Sequence, residues 1–482
     1  MRVHRLPHEL GAAAVDDTGR PVDPWPRHAG GATPRSARPE KRRTTGPSRL
    51  SWSRLETGNT PGGIDREGSV DDSDRLIGDS NAGPGRPIVN THVHVPPNFS
   101  AFETAEEAVQ AAASQGVAAL GTANYYDFRV YRRFAAAATK AGVLPLFGLE
   151  IMALIDDLPE GGTLVNDPTN LDRMYLCGKA ITRIDPPVPA AAVRMAQIRE
   201  ASDDRMRRMT ALVSERFAAA GLDGGTSERQ IAASVAERSG VPIEWVSLQE
   251  RHVAQAFQES LFRDVEPEDR PTALGRLFEA PTRVDASDTV AVQEALRSSL
   301  MKAGKPAFVP EVAIYFADSY RLILDLGGIP CYPTLADGAS PICPFEDPPE
   351  RLAERLLRLG IYCAELIPVR NRPEVVDRYV SALRSAGIVV MAGTEHNTQR
   401  MIPLEPKALD GAPLSDLALE AFWEATCVIA AHQELSRSGR PGYVDGDGRL
   451  AAGFSDVETR IEAFRSMGAR LITNRPAARI QA

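Results

Sequence analysis

The residues best placed to do chemistry together are His92 and His94, in Asn90-Thr-His-Val-His94 at the end of a short apolar run. Side chains two apart on a strand share a face, so both imidazoles meet at one place, an arrangement suited to holding one metal ion. Two other apolar runs end in carboxylates: Phe147-Gly-Leu-Glu150 and Gly393-Thr-Glu-His-Asn397. A carboxylate closing a buried strand is costly unless it is paired or bound to a metal. The chain has eight histidines, and of the five outside the first 86 residues, His92, His94 and His396 fall at predicted strand ends. His252 and His432 fall on predicted helices and are expected to be structural or solvated. Strand alternation lets only one of Glu395 and His396 face the centre, unless the chain bends there.

These groups need elements to position them. Seven strand-like runs stand out: 87–94, 118–124, 144–152, 174–181, 328–334, 361–369 and 388–395. Helical patterns at 105–114, 129–141, 349–359 and 373–386 lie between several of them. Such alternation predicts parallel strands with crossover helices in a closed or nearly closed barrel, whose active site lies at the strand C-termini. A doubly wound open sheet is the alternative. Residues 185–305 interrupt the pattern with helical sequence, where Ser227–Gln230 and Ser247–Glu250 match helix-opening capping boxes. This insertion is expected to cover the barrel mouth or to mediate a homo-oligomer. The barrel then spans 87–184 and 306–410, followed by a C-terminal helical segment at 411–482, split by a Gly-rich turn at 442–448. Residues 1–86 are rich in Gly, Pro, Ser, Asp and Arg, lack apolar periodicity and are expected to be disordered.

Bulk properties narrow the classes. The 482 residues carry a formal charge of −9, which argues against an extended nucleic-acid surface. Five cysteines without a CxxC pair suit a reducing compartment and speak against a disulfide framework. No apolar run approaches the roughly 18 residues that span a bilayer, and the start shows no secretory h-region. The expected location is the cytoplasm, with no membrane partner.

The order of HxH, a GxE strand and a late acidic strand end resembles the PHP family, named for polymerase and histidinol phosphatase domains. Gly116–Gly121, Gly327-Gly-Ile-Pro330 and Ala364-Glu-Leu366 agree with it. The resemblance covers about 87–184 and 306–400. It implies a distorted seven-stranded TIM-like α/β barrel of PHP type, and hydrolysis of phosphoesters with clustered divalent ions. It also implies that His92, His94, Glu150 and Glu395 hold one metal, a donor set suited to Zn, Mn or Fe. Other family ligands are replaced: Ala123-Asn-Tyr125 stands for the usual Thr-Asp-His, Met174–Lys179 carries no histidine, and Tyr332-Pro333 stands for His-Pro. One ion is therefore expected rather than a cluster.

A base or orienting group is then required, and Asp127 and His396 are the candidates. Lys179, Arg370 and Tyr332 are candidates for binding an anionic small-molecule substrate. The expected function is a metal-dependent, phosphoesterase-like hydrolase. Two alternatives stay open: a degenerate barrel that binds without catalysis, and an amidohydrolase-like C–N hydrolase using Lys179.

Overall fold

The structure, a computed structural model, describes residues 86–155 and 162–474. The segment expected to be disordered lies outside the described residues, save Arg86. The described chain is a mixed α/β structure. Its strands are β1 (Ile88–Val93), β2 (Val117–Thr122), β3 (Leu144–Leu146), β4 (Gly148–Leu154), β5 (Arg173–Lys179), β6 (Ile314–Tyr315), β7 (Ile329–Thr334), β8 (Cys363–Leu366) and β9 (Val389–Ala392). Helices α1 (Ala105–Ser114), α2 (Tyr131–Ala141), α8 (Phe316–Asp325), α9 (Pro349–Arg358) and α10 (Pro373–Ser385) connect them. α1 starts where Thr104, in extended conformation, accepts from the Glu107 amide.

The strands form two sheets, β1-β2-β3 and β6-β4-β5-β7-β8-β9, rather than the expected seven-stranded barrel. The run at 144–152 divides into β3 and β4, and β6 adds a two-residue strand. β4–β5 and β5–β7 pair antiparallel, which departs from the all-parallel expectation. The cause is local: β5 pairs directly with β4, and the described residues between them contain no helix that would carry the chain back into parallel pairing. Among the described residues no continuous ladder closes the sheets. Single parallel bridges, Val93↔Glu395 and Asn124↔Leu149, tie their facing ends.

Register sorts the side chains of the larger sheet onto two faces. Glu150 opposes Cys177, Cys177 opposes Cys331, Pro333 opposes Glu365, and Glu365 opposes Met391. One face therefore carries Glu150, Cys177, Lys179, Cys331 and Glu365. The other carries Leu149, Ile151, Leu176, Tyr332, Ala364 and Val390, which join the apolar core with residues of α1, α2, α8, α9 and α10. Helix α11 (Asp416–Arg437) contributes Cys427, Val428 and Ala431 to a second cluster with Cys177, Cys331, Cys363 and Met391, so the C-terminal segment packs against the site-bearing face. Helix α12 (Val457–Thr473) packs on α11, where Gly468 lies so close to the Cys427 backbone that a Cβ would sit 1.9 Å from its carbonyl oxygen.

The interruption is helical: α3 (Pro189–Ala219), α4 (Glu228–Ser239), α5 (Glu250–Asp264), α6 (Arg270–Phe278) and α7 (Thr289–Leu296). The capping box at Ser227 and Gln230 opens α4. α5 begins later than expected, capped by Gln249 with His252 as the reciprocal partner. These helices share their own apolar core, built on Met209, Phe217, Phe257 and Leu274. α3 straddles both cores: Ala191, Met195 and Ile198 pack with the strands, whereas Met206 onward packs within the insertion. No helix among the described residues is long and apolar enough to cross a membrane.

Candidate metal centre

β1 delivers the histidine pair. Its end is fixed from both sides: Asn124 bonds both the amide and the carbonyl of Val95, at 2.9 and 2.8 Å. On the other side, the His92 carbonyl accepts from Thr394 and Glu395 amides at 3.1 and 2.9 Å, and the His94 amide donates to the Glu395 carbonyl at 2.8 Å. Gly393 lies hard against this strand. A Cβ there would sit 2.2 Å from the His92 Cβ, so only glycine permits the approach.

Three ligand atoms converge. His92 Nε2 lies 3.5 Å from His94 Nε2 and 3.5 Å from Glu150 Oε2, and His94 Nε2 lies 3.7 Å from the same oxygen. The centre of that triangle is about 2.1 Å from each atom, the length of a Zn–N or Zn–O bond. The donor set thus fits a divalent ion in both geometry and chemistry. Cys177 Sγ also lies near: the ligand atoms of His92, Glu150 and Cys177 fall within 4.8 Å of one another. Burial pushes the Cys177 thiol well above its ordinary value, which keeps it protonated.

The surroundings orient these ligands. His92 Nδ1 lies 2.9 Å from Glu365 Oε1, and Glu365 Oε2 accepts from the Lys179 ammonium at 2.6 Å. A carboxylate behind a ligating histidine fixes its tautomer and ring plane. All three groups are buried, with Glu365 wholly inaccessible. Burial works against the charged form of His92, yet the Glu365 carboxylate, helped by hydrogen bonds with Glu150 and Glu365, carries its pKa up to about 9. Burial and the neighbouring His92 pull His94 down to about 4. Tyr125 stacks on His94 with ring centroids 5.4 Å apart and donates its hydroxyl to Glu150 Oε1.

The other expected site residues are distributed differently. Glu395 and His396 both adopt left-handed backbone, φ +57° and +51°, so the chain does bend at this strand end. The bend separates them. Glu395 lines the cavity beside His92 and Glu150, where Arg370 and Asn397 donate to it. His396 turns away, stacks on Phe102 and bonds Thr394 Oγ1 and the Ile402 carbonyl at 2.8 and 3.0 Å. Asp127 is spent on Arg129 and on Arg199 of α3, an anchor for the insertion. Lys179 is held by Glu365 and the Thr91 carbonyl rather than facing the cavity. Tyr332 lies on the opposite sheet face, donating to Glu346 at 3.0 Å, because Cys331 and Pro333 take the site-facing positions. Arg370 does reach the cavity.

The cavity over the triangle has a volume of about 420 Å³. It is walled by the 166–170 loop, by Arg370 and Glu395, and by insertion residues including Arg251 and Arg297. Glu311 also lines it, and burial pushes its carboxyl above its ordinary value. Glu365 and Glu311 are the acidic groups that sequence reasoning missed. Glu365 carried a signal, an acidic residue inside the apolar run 361–369, whereas Glu311 carried none.

No protein-family model matches the chain, and no curated protein matches it in sequence. The chain is similar to several solved structures, among them the following two. One is an amidohydrolase from Chromobacterium violaceum with sulfate bound and no metal, 17% identical, with a TM-score of 0.44, covering 69% of this chain and 96% of its own. The other, from Bifidobacterium adolescentis and assigned as a metal-dependent phosphoesterase, is 18% identical with a TM-score of 0.44, covering 70% of this chain and 96% of its own. Likenesses this distant do not carry chemistry from those proteins to this chain.

Proposed function

We propose that this chain is a metal-dependent hydrolase of PHP type, acting on a small anionic substrate, with one divalent ion of Zn, Mn or Fe held by His92, His94 and Glu150. The observation that carries the reading is the triangle of His92 Nε2, His94 Nε2 and Glu150 Oε2, with edges of 3.5 to 3.7 Å. A divalent ion bound there would supply Lewis acidity toward a phosphoryl oxygen and toward water. The chain's own groups do the rest. Glu365 holds the His92 ring so that Nε2 faces the triangle. Tyr125 occupies the second oxygen of Glu150 and leaves Oε2 for the ion. Arg370, exposed to the cavity, binds the substrate anion and in doing so releases Glu395, which becomes free to serve as a fourth ligand or to hold a proton. A phosphoester is favoured over an amide because Lys179, the residue an amidohydrolase-like centre would need, is committed to Glu365.

Elemental analysis of the purified chain tests this, comparing the native protein with His94→Ala and Glu150→Ala. About one ion per chain, lost in both variants, supports the reading. Equal metal content in all three refutes it. Hydrolysis of an aryl phosphate by the loaded protein, lost in Arg370→Met at unchanged metal content, separates catalysis from mere binding. The non-catalytic reading is favoured by one observation, the clasp of Arg370 and Asn397 on Glu395. It prevails if metal binds and no phosphoester, phenyl phosphate included, is turned over.

A further inference from the structure

The insertion turns a cationic wall toward the cavity. Arg205 comes from α3 and Arg251 from the first turn of α5, while Arg297 opens the π turn Arg297–Met301 after α7 and Lys302 follows it. All four line both the cavity over the metal triangle and an adjoining pocket of about 110 Å³. Their counter-charges are few. Glu250 takes Arg205 at 2.6 Å, Lys302 at 2.8 Å and Arg297 at 3.5 Å. Glu294 takes Arg251 at 3.2 Å and Arg297 at 2.9 Å. Four cations thus share two carboxylates in direct ion pairs.

This crowding of cations is felt locally. Arg297 Nε is buried without a hydrogen-bond partner. Burial and the charge of Arg297 lower the Arg251 pKa, the reverse of what a satisfied ion pair produces. Glu250, held down to about 2 by Lys302 and Arg205 against its burial, is fully used. Glu395, across the cavity, also acts on Arg251, and Glu311 is a further carboxylate on this wall. Burial moves it toward its neutral form, and even ionised it would leave one positive charge. The wall is built rather than incidental, since Arg205 is only 8% exposed and is also fastened to the Val309 carbonyl at 3.0 Å.

We propose that this wall is a subsite for a phosphate-like oxyanion, carried by the substrate as a second group beside the one presented to His92, His94 and Glu150. Guanidinium forks and an ammonium match tetrahedral oxyanions, and the positive charge that the wall keeps even with Glu311 ionised favours an anion. The substrate class that follows is a small molecule with two anionic groups, one for the wall and one for the triangle. This rests on the hydrolase reading only for the reacting end. The subsite itself stands on the insertion.

The test is isothermal titration of the full chain, stripped of metal by chelation, with inorganic phosphate in a chloride buffer. Phosphate is expected to bind. Arg251→Gln and Lys302→Gln each weaken it by about tenfold or more, acetate binds more weakly than phosphate, and His94→Ala leaves phosphate binding in place. Lys302 is 40% exposed, so its variant keeps the test open if Arg251→Gln does not fold. Phosphate binding that ignores both variants, or that vanishes in His94→Ala alone, overturns the subsite. Metal binding without an Arg251-dependent phosphate site removes the subsite and leaves the hydrolase reading. An Arg251-dependent phosphate site in a chain that takes up no metal does the opposite.

Discussion

Lys179→Met removes an ammonium from one of the most enclosed places in the protein and keeps most of the stem. The ammonium sits 2.6 Å from Glu365 Oε2, with Lys179 1% and Glu365 0% exposed. At that distance the direct attraction is about 6 kcal/mol for an effective dielectric near 20, much of it offset by the cost of desolvating both ions. Removing one partner is different, because the survivor keeps its desolvation cost and loses its compensation. The expected loss is about 3–5 kcal/mol. Glu365→Gln in the native background should cost a comparable amount by stranding Lys179 beside His92. The double variant, Lys179→Met with Glu365→Gln, leaves no unpaired charge and should be more stable than the sum of the singles by about 2–3 kcal/mol. Urea unfolding in excess chelator measures this without a contribution from bound metal. If Lys179→Met unfolds within about 1 kcal/mol of the native chain, or if the single costs simply add, the pair is not the buried unit described here. Glu365→Gln should also weaken metal affinity by about 10–100-fold, since His92 loses the carboxylate that aims it.

Other outcomes follow from single positions. Gly393→Ala places a methyl group where His92 Cβ lies 2.2 Å away, so metal binding should be lost together with about 2–3 kcal/mol of stability; unchanged metal content would refute the packing argument. His396→Ala should keep its metal, as His396 bonds Thr394 and Ile402, and elemental analysis checks it. Asp127→Ala unpairs Arg129 and Arg199 at the insertion anchor, so limited proteolysis within 189–301 should quicken while metal content holds. Burial pushes Glu346 up to about 7 despite hydrogen bonds from Leu335, Ala336 and Tyr332. A carboxyl raised in the folded state stabilises fully below its unfolded value and loses that contribution as pH rises through the folded one. Native stability relative to Glu346→Gln should therefore fall by about 3 kcal/mol between pH 4.5 and 7, and a flat difference would refute it.

The candidate ligands are more legible in the sequence than the groups around them. His92, His94 and Glu150 were visible because period-two spacing and strand ends are local properties. The core helices were visible for the same reason: α1 and the capping box at Ser227 and Gln230 depend on neighbours a turn away. What failed was long-range. Lys179 looked like a cavity residue until β5 proved antiparallel, with its end beside β7 and its ammonium beside Glu365. Tyr332 is a candidate substrate residue from its position near a strand end, whereas register puts Cys331 and Pro333 on the site face. Asp127 and His396 sit within a few residues of the site in sequence, yet α3 claims one and Phe102 the other. Arg251, Arg297 and Lys302 meet only through the packing of the insertion, which no local pattern encodes.

The insertion's separate apolar core gives the cavity an uneven melting order. Helices α4 to α7 close on residues of their own, and Asp127–Arg199 is one of the anchors to the strands. Regions with separate cores open with separate free energies. Amide exchange on α5 and α7 should therefore run ahead of exchange on β1 and β8, so that the ligand triangle outlives the wall above it. A molecule arranged this way can admit and discharge ligands by loosening half of its pocket while its histidines stay in register.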